Sequence, residues 1–137
     1  MTLLAFTFLA CADPEAPVVE AAGLGDTRDT LGPYAVAVVV RENREVAAVR
    51  LTYRSAEAET AEVVTMDHHG DRRWTGEIPG YPVGAEIHWF VEAEDIDGNF
   101  GYAPWQAELG DTACLEDVDP ADPTPANGAA YCFAVLP

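Results

Sequence analysis

Between residues 85 and 94 the side chains sort with a period of two: Ile87, Trp89, Val91 and Ala93 fall on one side, Glu86, His88, Glu92 and Glu94 on the other. Successive side chains of an extended chain point to opposite faces, so this stretch makes a strand with one buried face and one wet face. The same period recurs. Residues 46–54 place Ala47, Val49, Leu51 and Tyr53 against Ala48, Arg50, Thr52 and Arg54, and residues 72–78 place Trp74, Gly76 and Ile78 together. Residues 34–41 are rich in β-branched side chains, 61–67 read as a third strand, and 100–109 return as a last one with Pro104 marking an edge or bulge. Polar, Gly- and Pro-containing turns separate them at 42–45, 68–71, 79–84 and 95–99. No segment sustains a 3.6-residue period, so the core is expected to contain essentially no helix. Six strands at this spacing, with a short edge strand at Val18-Val19 as a seventh, predict an all-β, two-layer antiparallel β-sandwich.

Charge narrows the partners. Of 137 residues 24 are acidic and 7 basic, a formal net charge of −17, and every basic residue is an arginine. Such a chain repels phosphate backbones, which argues against nucleic acid. It attracts cations and stays soluble, and a well-solvated acidic surface is the simplest account of the excess.

Residues 3–10 are apolar and uncharged and end in Phe8-Leu9-Ala10-Cys11. The run is far too short to span a bilayer, which needs about 20 apolar residues. It has the form of an export-signal core. With its small Ala10 before Cys11 it resembles the lipobox of bacterial lipoproteins. That resemblance implies cleavage before Cys11, acylation of Cys11, and an exported protein held by lipid in the cell envelope, on the outer membrane or cell surface. Signals of this kind carry a basic start, and only Met1 and Thr2 precede the apolar run, so translation is expected to begin upstream. Residues 12–31 hold Pro14, Pro17, Gly23 and Gly25 among acidic residues and read as a flexible acidic tether.

A second resemblance concerns residues 32–109. Gly32-Pro33-Tyr34, Arg50-Leu51-Thr52-Tyr53-Arg54, Ile78-Pro79-Gly80, the run from Gly84 to Asp95, and Asp97-Gly98-Asn99 look like a recurring bacterial immunoglobulin-like or fibronectin type III-like module. It implies the sandwich architecture and leaves function open, because that architecture hosts many binding and spacing roles.

Residues 110–137 form an acidic C-terminal extension with Cys114 and Cys132 and no basic residue. In an exported chain whose Cys11 carries lipid, these two are expected to form a structural disulfide. The segment from Tyr131 onward has strand character and is expected to cover a sheet edge.

Three clusters bear on metal chemistry. Asp67-His68-His69-Gly70-Asp71 reads as a hairpin turn, since adjacent side chains of an extended segment diverge rather than share a metal. Asp95 and Asp97 offer oxygens for calcium, yet Asp-Gly-Asn turn chemistry explains them too, and EF-hand spacing fails at Phe100 and Gln106. Glu116, Asp117, Asp119 and Asp122 are carboxylates close enough in sequence to take calcium or to remain a solvated loop. No other cofactor is indicated. Catalysis finds no support: Ser55 is the lone serine and has no glycine-elbow setting, and there is no phosphate loop and no Cys-x-x-Cys. Trp89 is assigned to the core, Trp74 and Trp105 to core or rim, with an aromatic sugar platform as the alternative. The sequence thus predicts a non-catalytic, lipid-anchored binding or structural module with an unidentified protein or glycan partner. The alternatives are a calcium-dependent adhesion module and a carbohydrate-binding accessory domain.

Overall fold

The computed structural model describes residues 15–42, 45–104, 113–115 and 129–137. Its strands are β1 (Val18–Ala21), β2 (Tyr34–Arg41), β3 (Val46–Ser55), β4 (Glu62–Thr65), β5 (Asp67–His68), β6 (Arg73–Ile78), β7 (Glu86–Asp95), β8 (Phe100–Ala103), β9 (Ala113–Leu115) and β10 (Ala129–Ala134). They form a four-stranded sheet in the order β1-β2-β6-β5 and a six-stranded sheet in the order β4-β3-β7-β10-β9, with β8 also on β7. One flank of β7 is shared: β10 pairs with residues 86–89 and β8 with residues 91–94. The named pairings are antiparallel except β9–β10, which is parallel.

The alternation in the sequence fixes the inner faces. Along β2, Tyr34, Val36, Val38 and Val40 are buried and the residues between them exposed. Along β7, Ile87, Trp89, Val91 and Ala93 are fully enclosed. Val49, Leu51 and Tyr53 of β3 join them, and Ile78 closes the opposite layer. Gly76 supplies the clearance between layers, because a Cβ there would stand 3.3 Å from both Leu51 and Met66.

Several expectations need correction. Ala47 is exposed, because a bulge between Val46 and Ala48 shifts the register before Val49 turns inward. The strand expected over 61–67 is two strands in two sheets. β4 pairs with β3, β5 pairs with β6, and the chain crosses at buried Met66, whose N–H donates to the Val49 carbonyl at 2.8 Å. Of the strand expected over 100–109, β8 covers Phe100–Ala103, and residues 105–109 lie outside the described residues. His88 faces outward yet is buried, because β3 places Arg54 and β10 places Cys132 beside it.

The expected tether also belongs to the fold from Pro17 onward. β1 pairs with β2 and buries Val19 and Ala21, as the Val18-Val19 edge strand anticipated. Beyond it, Thr27 donates to the Ala134 carbonyl at 3.0 Å, Leu136 donates to the Thr27 carbonyl at 2.7 Å, and Ala134 donates to Asp26 Oδ1 at 2.8 Å. These bonds use backbone groups and the Asp26 carboxylate, which carry no hydrophobic pattern, so periodicity cannot reveal them. The C-terminal extension is likewise core: Tyr131, Phe133 and Val135 are buried, and Phe133 meets Tyr34 edge-on at 5.0 Å.

Two loops cross in intimate contact where the sequence carries Gly32-Pro33-Tyr34 and Ile78-Pro79-Gly80. A Cβ on Gly32 would lie 2.5 Å from the Gly80 nitrogen, and one on Gly80 would lie 2.5 Å from the Leu31 oxygen. The Tyr34 hydroxyl fastens the crossing by donating to the Asp29 carbonyl at 2.6 Å and accepting from the Tyr81 N–H at 3.2 Å. These motif residues therefore serve the architecture.

Candidate functional site

The hairpin joining β5 to β6 shapes one end of the sandwich. Gly70, Asp71 and Arg72 all have positive φ, at 79°, 48° and 66°. Two non-glycine residues in the left-handed region make a strained turn, held by the His69 N–H to the Arg73 carbonyl and the Arg73 N–H to the Gly70 carbonyl, both 2.9 Å. The Arg72 carbonyl is in turn fastened to β2 by the Val40 N–H at 2.9 Å.

That turn makes His68 and Trp74 cross-strand partners. Their rings stack with centroids 4.4 Å apart and planes 18° from parallel. Trp74 is half-buried against the core while His68 is exposed. Around the pair lies a cleft of about 390 Å³ lined by Val40, Glu42, Glu45, Val46, Asp71 and Arg72. Its floor is aromatic and aliphatic, and its rim carries carboxylates and one guanidinium. The adjacent histidine takes another direction, with His69 Nε2 2.6 Å from Thr75 Oγ1. The two histidines thus have separate neighbours, as expected for a hairpin.

Asp95 stands behind the same end. Its Oδ1 accepts the N–H groups of Asp97 at 2.9 Å and Asn99 at 2.8 Å, and its Oδ2 accepts Asn99 Nδ2 at 3.1 Å. Burial pushes the Asp95 carboxyl up, but the Asn99 and Asp97 donors and the Glu42 carboxyl outweigh it and hold its pKa below the ordinary value. The carboxylate is engaged as the organiser of the β7–β8 turn, while Asp97 is exposed. Among the described residues no three His, Cys, Asp or Glu side chains are grouped to hold a metal ion. Cys11, Trp105, Glu116, Asp117, Asp119 and Asp122 lie outside the described residues.

A second cleft, of about 530 Å³, is lined by Ser55, Glu57, Tyr81, Pro82, Val83 and Glu86 among others. Burial raises the Tyr81 pKa, helped by Tyr53, Glu62 and Tyr34, so its hydroxyl stays protonated. On the outer face of β3 and β7, Arg50 bridges Glu92 at 2.9 Å and Glu94 at 3.1 Å. Those bonds, with Glu94 first, raise the Arg50 pKa against the opposing effect of burial. Trp89 is enclosed and belongs to the core, as expected.

Sequence reasoning placed His68 in the turn and so missed its stack on Trp74. The usable signal was Gly70-Asp71: centring the turn between His69 and Arg73 sets positions 68 and 74 opposite each other.

No family model matches the chain, and no curated protein matches it. Among solved structures it is similar to one titled "Crystal structure of Br derivative BhCBM56", at 13% identity, over 61% of this chain and 90% of that chain, with a TM-score of 0.39. A likeness at that score carries no argument about function, and the reading of the cleft rests on its own geometry.

Proposed function

We propose that the protein is a non-catalytic binding module displayed from the cell envelope, and that its cleft at Trp74 and His68 takes a glycan. The ring stack carries this reading. Stacked aromatic rings offer an apolar surface to the C–H face of a sugar. Glu42, Glu45, Asp71 and Arg72 around them supply acceptors and donors suited to hydroxyl groups. The module is of the immunoglobulin-like or fibronectin type III-like kind. Its support is the strand order β1-β2-β6-β5 facing β4-β3-β7-β8, which corresponds to A-B-E-D facing C′-C-F-G.

The anchor in this reading is lipid on Cys11, supported by the apolar run that precedes it. The bridge is Cys114–Cys132, supported by two observations. Cys132 carries no titrating thiol, and β9, which holds Cys114, is the hydrogen-bonded neighbour of β10.

Calorimetric titration against a panel of soluble envelope polysaccharides tests the site. Binding by the wild type and its loss in Trp74→Ala and His68→Ala are expected, with melting unchanged in His68→Ala, whose side chain is exposed, and lowered in Trp74→Ala, whose ring packs against the core. Equal affinity in wild type and variants, or no binding across the panel, refutes the glycan reading. For the anchor, Cys11→Ser is expected to move the protein from membranes to the soluble fraction.

A further inference from the structure

The second cleft lies at the far end of β3 from the Trp74–His68 cleft. β3 runs from Val46, which lines the first cleft, to Ser55, which lines the second. The strand spans about 30 Å between them. Two turns form the walls. The one after Ser55 is closed by the Ala58 N–H to the Ser55 carbonyl at 3.0 Å, and the one before β7 by the Ala85 N–H to the Pro82 carbonyl at 3.1 Å. The Ala56 N–H donates to the Glu86 carbonyl at 2.8 Å and draws the first turn against the start of β7. The Gly84 N–H to the Val135 carbonyl, at 2.8 Å, and the Val135 N–H to the Ala85 carbonyl, at 2.9 Å, fasten the second turn to the C-terminal segment. The cleft is therefore preformed by backbone bonds.

Its volume of about 530 Å³ suits a small ligand. The charged groups of its lining are the carboxylates of Glu57 and Glu86, and no Arg, Lys or His is among the described lining residues. Glu57 is exposed, and Glu86 is oriented by His88, whose Nε2 stands 3.3 Å from Glu86 Oε2. The Ser55 and Tyr81 side chains add hydroxyl oxygens, while Tyr81, Pro82 and Val83 add apolar surface, Val83 being 53% exposed. A cation entering the cleft is attracted by both carboxylates, and a net charge of −17 raises the local concentration of cations. The donor set does not suit a metal ion, because calcium takes six to eight oxygens and no three His, Cys, Asp or Glu side chains are grouped among the described residues.

We infer that this cleft binds a primary alkylammonium group, with the ammonium at Glu57 and Glu86 and its aliphatic stem along Tyr81, Pro82 and Val83. A primary ammonium carries three diverging donors, which the two carboxylates and a hydroxyl oxygen of Ser55 or Tyr81 satisfy together. A guanidinium is a planar fork matched to a single carboxylate. A quaternary ammonium has no donor and relies on a cage of aromatic rings, whereas Tyr81 is the single aromatic residue of the described lining. A free amine and a lysine side chain of a peptide share the required chemistry. The site stands apart from the glycan cleft, and filling one leaves the other open.

The test is a nuclear magnetic resonance titration of the full chain with n-pentylammonium chloride at constant ionic strength, with tetramethylammonium chloride as the reference. Saturable shifts of the Ser55, Glu57, Gly84 and Glu86 amides are expected with n-pentylammonium and not with tetramethylammonium. Glu57→Gln and Glu86→Gln are each expected to weaken binding about tenfold or more, the effect of losing a hydrogen bond between charged groups. Glu77→Gln makes the same change in net charge at an exposed position of β6 and is expected to leave binding unchanged. If circular dichroism shows that Glu86→Gln fails to fold without its contact to His88, the exposed Glu57→Gln carries the comparison. Absence of saturable shifts, equal shifts with tetramethylammonium, equal affinity of Glu57→Gln and wild type, or equal weakening by Glu77→Gln overturns the inference. A capped lysine peptide and its Nε-acetylated form distinguish the sources. Binding of the unmodified peptide assigns the site to a lysine side chain, and binding of n-pentylammonium without the peptide assigns it to a free amine. Equal binding of both peptides overturns recognition of the ammonium.

Discussion

The indole of Trp89 lies against the phenol ring of Tyr131, with centroids 4.5 Å apart, and the two residues are register partners across β7 and β10. Tyr131 also donates to the Ala21 carbonyl at 3.2 Å, so a single residue joins the central strand, the C-terminal strand and the first strand. Burial raises its phenol pKa from 10.0 to about 12. The core is thus closed by both chain ends, and removing its central ring affects all three elements.

Trp89→Ala is expected to destabilise the fold by about 3–5 kcal/mol, the usual cost of emptying a large aromatic site. Trp89 has no exposed surface, and its Nε1 has no partner among the described residues, so the loss is one of packing. Urea unfolding followed by circular dichroism measures it. A midpoint shift worth less than about 1 kcal/mol contradicts the enclosed position.

Gly101 offers a sharper steric test. Any side chain there meets the Pro17 carbonyl, so β1 or β8 must move. Gly101→Ala is expected to cost about 1–3 kcal/mol through overpacking. Gly25 is the control, because a Cβ there meets nothing within 4 Å. Gly25→Ala is expected to be neutral or to stabilise by at most about 1 kcal/mol. Equal melting temperatures for the two variants would refute the close approach of Pro17 to Gly101.

How much of this was legible depended on whether a side-chain pattern or a backbone bond carried the information. The faces of β2 and β7 follow from alternation, because a period of two dictates which residues meet the core. Ala47 defeats that logic because a bulge inserts one residue, and residues on either side of a bulge keep their own local alternation. Met66 defeats it because a strand that changes sheets keeps its inward face throughout. The segment from Asp26 to Thr27 is held by bonds to Ala134 and Leu136, which leave no mark on hydropathy. The Trp74–His68 stack depended on the centre of one turn, and a shift of that centre from between His69 and Gly70 to Asp71 reveals it.

Asp95 makes acid stability a test of the β7–β8 turn. Burial raises its pKa, the Asn99 and Asp97 donors and Glu42 lower it, and the net result lies below 3.8. A carboxyl with a depressed folded pKa stabilises the fold above its unfolded value, and the contribution is lost as pH falls through the folded value. Stability is therefore expected to decline as pH drops from about 3.8 downward, and Asp95→Asn is expected to flatten that decline while lowering stability at neutral pH. Urea midpoints across acidic pH measure both. An identical pH slope in variant and wild type would show that the Asp95 carboxylate gains nothing from its donors.

The final prediction concerns Cys114 and Cys132. Ala130 pairs with Cys114 in the parallel register of β9 and β10, and Cys132 follows two residues later on β10. The chain between the cysteines contains Glu116, Asp117, Asp119, Asp122 and several prolines, with little apolar content to hold itself by burial. A bridge closing a loop of this size is expected to contribute roughly 3 kcal/mol by restricting the unfolded chain. Its role is expected to be structural, since a redox-active pair wants close spacing and positive charge nearby, and residues 110–137 carry no basic residue. Mass spectrometry of the non-reduced protein is expected to find one intramolecular bridge. Reduction, or the double substitution Cys114→Ser with Cys132→Ser, is expected to lower the melting temperature by similar amounts. Loosening should reach β10 first, so the near-ultraviolet signal of Tyr131 and Trp89 is expected to weaken before the far-ultraviolet strand signal. Two readily alkylated thiols in protein purified under non-reducing conditions, or melting unchanged by reductant, would refute the bridge.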